Sequence, residues 1–165
     1  MATTPDDEPK TLDRRSFLVG AQSAAVLLPL LAGVHGARAQ AAAEESAEFK
    51  AAFEALVGKA RPIAGGVTLE LPEAIENGEH VPVALAVDSP MTPESYVKAI
   101  HLLSTANPRA SVATFRFTLL SGKARVTSNM RLAKTQDVVA VAELSDGTLL
   151  MTKRRVDVKI GGCGI

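Results

Sequence analysis

The stretch Gln136-Asp137-Val138-Val139-Ala140-Val141-Ala142-Glu143-Leu144-Ser145-Asp146-Gly147-Thr148-Leu149-Leu150-Met151-Thr152-Lys153-Arg154-Arg155-Val156-Asp157-Val158-Lys159-Ile160 decides the fold. Two runs rich in β-branched residues flank Ser145-Asp146-Gly147, a turn signal short enough to close a hairpin. In the second run Val156, Val158 and Ile160 recur at period two, the spacing of a strand with one covered face. That run passes directly into Gly161-Gly162-Cys163-Gly164-Ile165.

The same grammar recurs upstream. Val67 to Leu71 alternates apolar and polar residues, and Pro72 to Gly78 reads as a loop with a turn at Asn77-Gly78. Val81 to Val87 reads as a second strand, where Pro82 suits an edge or a strand start. Asp88 to Pro93 is a turn-rich break. Tyr96 to Leu103 reads as a third strand, because Val97, Ile100 and the nearby Pro108 weigh against a helix. Ser111 to Leu120 alternates in part, Ser121-Gly122-Lys123 reads as a tight hairpin, and Ala124, Val126, Ser128, Met130 and Leu132 continue on the return.

Counted with the quoted pair, these runs predict an all-β, immunoglobulin-like β-sandwich of about seven strands. The chain has no tryptophan and one cysteine, so the Cys–Trp–Cys core of antibody domains is absent, and strand spacing leaves the topology open. Ahead of the strands, Ala41 to Gly58 reads as a short helix. Phe49, Phe53, Leu56 and Val57 form its apolar stripe, Glu44, Glu45 and Glu48 suit its positive end, and Gly58 stops it. Arg61 to Gly66 is a connector.

The first residues carry a different pattern. Arg14-Arg15 precedes Phe17-Leu18, a weakly apolar run covers Val19 to Val34, and Ala37-Arg38-Ala39 is a small-x-small cleavage site. This order is that of a twin-arginine export signal cut between Ala39 and Gln40. The run is too short and too broken by Gln22, Ser23 and Pro29 for the roughly 20 apolar residues of a membrane span. The expected organisation is therefore a signal at 1–39, helix and connector at 40–66, the sandwich at 67–160 and a tail at 161–165, located in a bacterial periplasm.

The chain carries 18 basic and 18 acidic residues; four of each precede Gln40, so the mature part is neutral. That balance argues against nucleic acid as the main partner. Ten acids and three bases fall between Gln40 and Glu94, against four acids and eleven bases from Ser95 onward. No stable membrane insertion is expected after cleavage. A single cysteine in an oxidising compartment permits no intrachain disulfide, which leaves intermolecular bonding or a free reactive thiol.

His35 lies in the signal, while His80 and His101 stand in separate segments without further ligands at metal spacing. No phosphate loop or haem-attachment motif is present, so no cofactor and no metal are expected. Cys163 could meet either histidine, but a hydrolytic site needs a preorganised nucleophile and oxyanion hole, which a mobile tail does not provide. Gly161, Gly162 and Gly164 read instead as a slim, flexible arm for Cys163. Five extended residues reach roughly 16–18 Å, so the thiol could enter a pocket on another protein. Against this stands the plain reading of a frayed terminus or a buried small hydrophobe.

Lys159-Ile160-Gly161-Gly162-Cys163-Gly164, behind a strand-rich domain and a twin-arginine signal, resembles the SoxY family of sulfur carriers in periplasmic thiosulfate oxidation. The resemblance extends to Val67-Thr68-Leu69-Glu70-Leu71-Pro72, Val87-Asp88-Ser89-Pro90-Met91-Thr92 and Val141-Ala142-Glu143-Leu144-Ser145-Asp146-Gly147. It implies a non-catalytic carrier that holds sulfur covalently on Cys163. It implies a heterodimer with a SoxZ-like β protein lacking its own signal, exported folded. It further implies loading by a SoxXA-like cytochrome, sulfate release by a SoxB-like thiohydrolase and, where present, oxidation by a SoxCD-like sulfane dehydrogenase. The family usually ends in glycine after Cys-Gly, where this chain has Ile165. The rival readings are an exported adaptor joined to a partner by a Cys163 disulfide, and a thiol oxidoreductase, which lacks a second cysteine.

Overall fold

The run Val138-Val139-Ala140-Val141-Ala142 offers no polar face to water, so a strand built from it needs cover on both sides. The computed structural model of the chain, which describes residues 44–162, supplies that cover. Strand β8 (Gln136–Leu144) lies inside a sheet ordered β1-β9-β8-β5-β6, formed by β1 (Ile63–Ala64), β5 (Val97–Ser104), β6 (Ser111–Arg116) and β9 (Leu149–Ile160). A second, three-stranded sheet is ordered β2-β4-β7, from β2 (Val67–Glu70), β4 (Val81–Val87) and β7 (Ala124–Met130). Val138, Ala140 and Ala142 join Ile100, Leu102 and Val156 against Val67, Leu69, Val83 and Leu85 of the second sheet. Val139 and Val141 face the other way and meet helix α1 (Ala47–Val57) through Phe49.

The expected immunoglobulin-like β architecture with a short N-terminal helix is thus present. The helix is shorter than its sequence pattern, because Ser46 caps it: the Phe49 amide donates to Ser46 Oγ at 3.1 Å. Glu44 and Glu45 therefore precede the helix, and Glu48 alone of the three carboxylates sits in its first turn. Gly58, at φ +56°, ends it as read, and Phe49 and Phe53 stack at 5.6 Å.

Three local readings are corrected. Nine strands, not seven, are paired among the described residues. The first addition lies in the Arg61–Gly66 connector, where β1 pairs in parallel with Leu150 and Met151. The second lies in the Pro72–Gly78 loop, where β3 (Ala74–Asn77) pairs in parallel with Asp157, Val158 and Ile160. Neither segment has a strand-like alternation; both are strands because they satisfy the outer edge of β9, a constraint set far away in sequence.

The third correction concerns Ser121-Gly122-Lys123, which does not close a hairpin. β6 pairs with β5 and β7 pairs with β4, so a 3-10 turn at Leu119–Ser121 carries the chain from one sheet to the other. The local turn signal is the same for both routes, and only packing between sheets selects one. Of the two places offered for Pro82, an edge or a strand start, the structure selects the second: β4 is the middle strand of its sheet and Pro82 is its second residue. The Ser145-Asp146-Gly147 hairpin joins β8 to β9 as read, with the Thr148 amide bonded to Asp146 Oδ1 at 2.8 Å.

The proposed export signal with Arg14 and Arg15, the Ala39–Gln40 junction, and Cys163, Gly164 and Ile165 all lie outside the described residues. Among the described residues no helix is long and apolar enough to cross a membrane.

Ile100 is fully buried between the two sheets. Ile100→Ala is expected to lower unfolding stability by about 2–5 kcal/mol, read from a urea or guanidinium transition. A loss below about 1 kcal/mol would show that the sheets do not close on this residue.

Candidate functional site

Strand β9 delivers its last residue, Ile160, to one end of the sandwich, and there three segments of backbone meet. The Gly78 amide donates to the Ile160 carbonyl at 2.8 Å, the Leu132 amide to the Gly78 carbonyl at 2.9 Å, and the Gly162 amide to the Leu132 carbonyl at 2.9 Å. These hydrogen bonds tie the β3–β4 turn, the β7–β8 loop and the chain beyond β9 into one junction. The turn itself is an Asx turn, with the Glu79 amide on Asn77 Oδ1 at 2.9 Å.

The glycines of the junction are there for space. A methyl group on Gly161 would overlap the Ala133 carbonyl, and one on Gly162 would overlap the Gly78–Glu79 peptide. One on Gly78 would overlap the Leu132 carbonyl. Each obstacle is backbone, which cannot swing aside as a side chain could. Gly162 is buried although it lies beyond the last strand.

Gly161 and Gly162, read as the start of a flexible arm, lie against backbone in this structure. Cys163 and Gly164 lie outside the described residues, but covalent geometry limits three residues beyond Gly162 to a reach of about 10 Å. The surroundings are polar: Lys159 Nζ and Glu76 Oε1 pair at 2.6 Å, both well exposed and of small energetic weight.

The sequence reading missed Gly78, Leu132 and Ala133 as site residues. Asn77-Gly78 signalled only a turn, and nothing local marks Leu132 as the residue whose peptide receives the tail.

The two histidines are separated by the fold. His80 is exposed, next to Glu79 in the turn that receives Gly162. His101 sits on β5, opposite Thr114 of β6 and Val141 of β8, and its Nδ1 lies 3.1 Å from Thr114 Oγ1. Its Nε2 is buried without a partner among the described residues. Burial is the largest influence on His101 and lowers its pKa; Glu143 pulls the other way and Arg116 adds to the lowering. Among the described residues no three His, Cys, Asp or Glu side chains converge as metal ligands. A polar cleft lined by Asp88, Ser89, Lys123 and Arg125 opens at the Val87 end of β4, the end away from Gly78.

Comparison with known proteins gives these features a setting. The family model described as "Sulfur oxidation protein SoxY" matches residues 53–163. Among solved structures, the sulfur carrier protein SoxY from Chlorobium limicola f thiosulfatophilum matches with a TM-score of 0.57 and 31% identity. That match covers 68% of this chain and 97% of the other. A superoxide reductase (neelaredoxin) from Ignicoccus hospitalis matches with a TM-score of 0.52 at 17% identity, covering 57% of this chain and 80% of that one. At that identity the likeness is one of fold alone. No curated protein sequence matches.

Gly78→Ala forces overlap between two held backbones and is expected to cost about 1–3 kcal/mol, with Tm lowered by several degrees. Gly162→Ala meets the same kind of obstacle, but its segment can lift away, so Tm should stay within about 2 °C of the parent. Equal losses in thermal denaturation would contradict this asymmetry.

For His101 the folded state resists protonation more than the unfolded state does. Stability is therefore full above the ordinary histidine pKa of about 6.5 and declines as pH falls through that value towards the lowered one. His101→Gln should flatten this part of the stability–pH curve; an unchanged slope would assign the pH dependence to other groups.

Proposed function

The chain belongs to the SoxY family of sulfur oxidation proteins, and from that premise we propose that it is a periplasmic covalent sulfur carrier in thiosulfate oxidation, with Cys163 as the attachment atom. One observation supports this reading above the rest. The family match runs to residue 163, and Cys163 is the single cysteine of the chain, so thiol chemistry has one possible seat.

The chemistry asks little of the carrier. The Cys163 thiolate and the outer sulfur of thiosulfate join in a new S–S bond, and the two electrons released pass to an oxidant, a SoxXA-like haem cytochrome. Water then cleaves the terminal sulfonate as sulfate with two protons, leaving a persulfide on Cys163; a SoxB-like thiohydrolase would supply that step. A SoxCD-like dehydrogenase, where present, would oxidise the remaining sulfane sulfur. The walls of each active site belong to the partner, which is why the carrier can present its thiol from a slender end and needs no pocket of its own. It is a non-catalytic subunit in this reading, paired with a SoxZ-like β protein.

The proposal includes export through Arg14 and Arg15 with cleavage after Ala39. Twin-arginine export moves folded protein, which suits a carrier that leaves the cytoplasm already joined to a partner without its own signal.

Intact-protein mass spectrometry after growth on thiosulfate tests the assignment. The wild-type chain should start at Gln40 and carry added sulfur, sulfonate or thiosulfonate groups that reductant removes. Cys163→Ser should fold with an unchanged Tm and carry none. Loading retained in the serine variant, or a plain disulfide dimer as the only modified species in the wild type, would reject the carrier and favour an adaptor joined through its thiol.

A further inference from the structure

Leu132 receives Gly162, yet Leu132 belongs to a loop, residues 131–135, that has no strand ladder to hold it. Two buried side-chain amides hold it instead. Asn107, 6% exposed, lies in the β5–β6 connector; its Nδ2 donates to the Arg131 carbonyl at 2.8 Å, and its Oδ1 accepts the Ala133 amide at 2.9 Å. Gln136, fully buried at the start of β8, donates from Nε2 to Asn107 Oδ1 at 2.7 Å and to the Lys134 carbonyl at 3.2 Å. Its Oε1 accepts the Ala106 amide at 2.8 Å. The residues on both sides of Leu132 are thus pinned, while the Leu132 side chain is itself fully buried.

A buried polar pair is costly unless its groups are matched. Here all four amide heteroatoms have partners, and loop or connector backbone supplies most of them. Such a network selects one backbone arrangement over its neighbours. In the arrangement it selects, the Leu132 carbonyl receives the chain beyond β9.

We propose that Asn107 and Gln136 are positioning residues for the sulfur-bearing arm: they fix Leu132 so that Gly162 docks and the last residues leave the sandwich from one point. This rests on the carrier reading of Cys163. The physical consequence is a smaller volume for the thiol to search. If the junction opens, the tether between the last held residue and Cys163 grows from one residue to three, and the volume open to the thiol, scaling as the cube of reach, grows about twenty- to thirtyfold. The effective concentration of the thiol at a partner's active site falls by the same factor once the two proteins are docked.

Amide hydrogen exchange on the folded mature chain tests the coupling without any sulfur chemistry. The wild-type Gly162 amide should be protected at least about tenfold relative to an unstructured tail. In Asn107→Ala that protection should fall at least about tenfold, while the Ala140 and Val141 amides of β8 keep theirs. Should that variant fail to fold, Asn107→Ser and the wild-type measurement still decide the matter. The functional counterpart is thiosulfate loading by the thiosulfate-coupling cytochrome: kcat should fall about twenty- to thirtyfold with KM for the carrier unchanged. Alkylation of Cys163 by iodoacetamide, which needs no docking, should be unaffected.

An unprotected Gly162 in the wild type would overturn the proposal. So would a loss of protection at Gly162 only in step with β8, or an effect on KM in place of kcat. Failure of the carrier reading is separately visible, because Gly162 would then exchange as expected while no sulfur adduct forms.

Discussion

Burial of β8 on both faces is the constraint on which the rest of the molecule depends. A strand whose inward side chains are Val138, Ala140 and Ala142 and whose outward ones include Val139 and Val141 cannot sit at a surface. One face requires the second sheet and the other requires α1. The hairpin at Ser145-Asp146-Gly147 then lays β9 beside β8, and the two short parallel strands β1 and β3 close the edge of β9 that would otherwise remain open. The place where the chain leaves the sandwich is settled by this sequence of requirements before the terminal glycines are considered.

At that place glycine has a meaning that composition alone conceals. A glycine can be selected because its backbone is free, or because another backbone lies where a Cβ would be. The two causes predict opposite mechanics from the same letters. Gly161 and Gly162 belong to the second kind, pressed on Ala133 and on the Gly78–Glu79 peptide. Two glycines that read as the start of an arm are therefore in contact with the body of the sandwich.

The sheet strands and the α1 stripe were legible because each carries its own periodicity: Val67 and Leu69, Val156 and Val158, Phe49 and Phe53 bury the faces their spacing announces. What was not legible is non-local. β1 and β3 are strands by virtue of their partner. Ser121-Gly122-Lys123 is a crossover because β7 finds β4 in preference to β6. Likewise Cys163 and its glycines were visible as a chemical motif, whereas Gly78, Leu132, Asn107 and Gln136 were not. A buried asparagine beside Pro108 and a glutamine opening an apolar run look like ordinary loop and strand-start residues until the fold places their side chains 2.7 Å apart.

The absence of a second cysteine ties the core to the chemistry. On the proposed reading, an exported domain of this size could draw stability from a disulfide, but any further thiol would compete for the oxidant and the sulfur meant for Cys163. Exchange between the persulfide and a nearby thiol would discharge the carrier into an internal disulfide. A carrier of that kind is better served by a fold stabilised by apolar burial and satisfied amides. The doubly covered β8 and the Asn107–Gln136 pair provide those terms, so the features that stabilise the sandwich leave the thiol chemically alone.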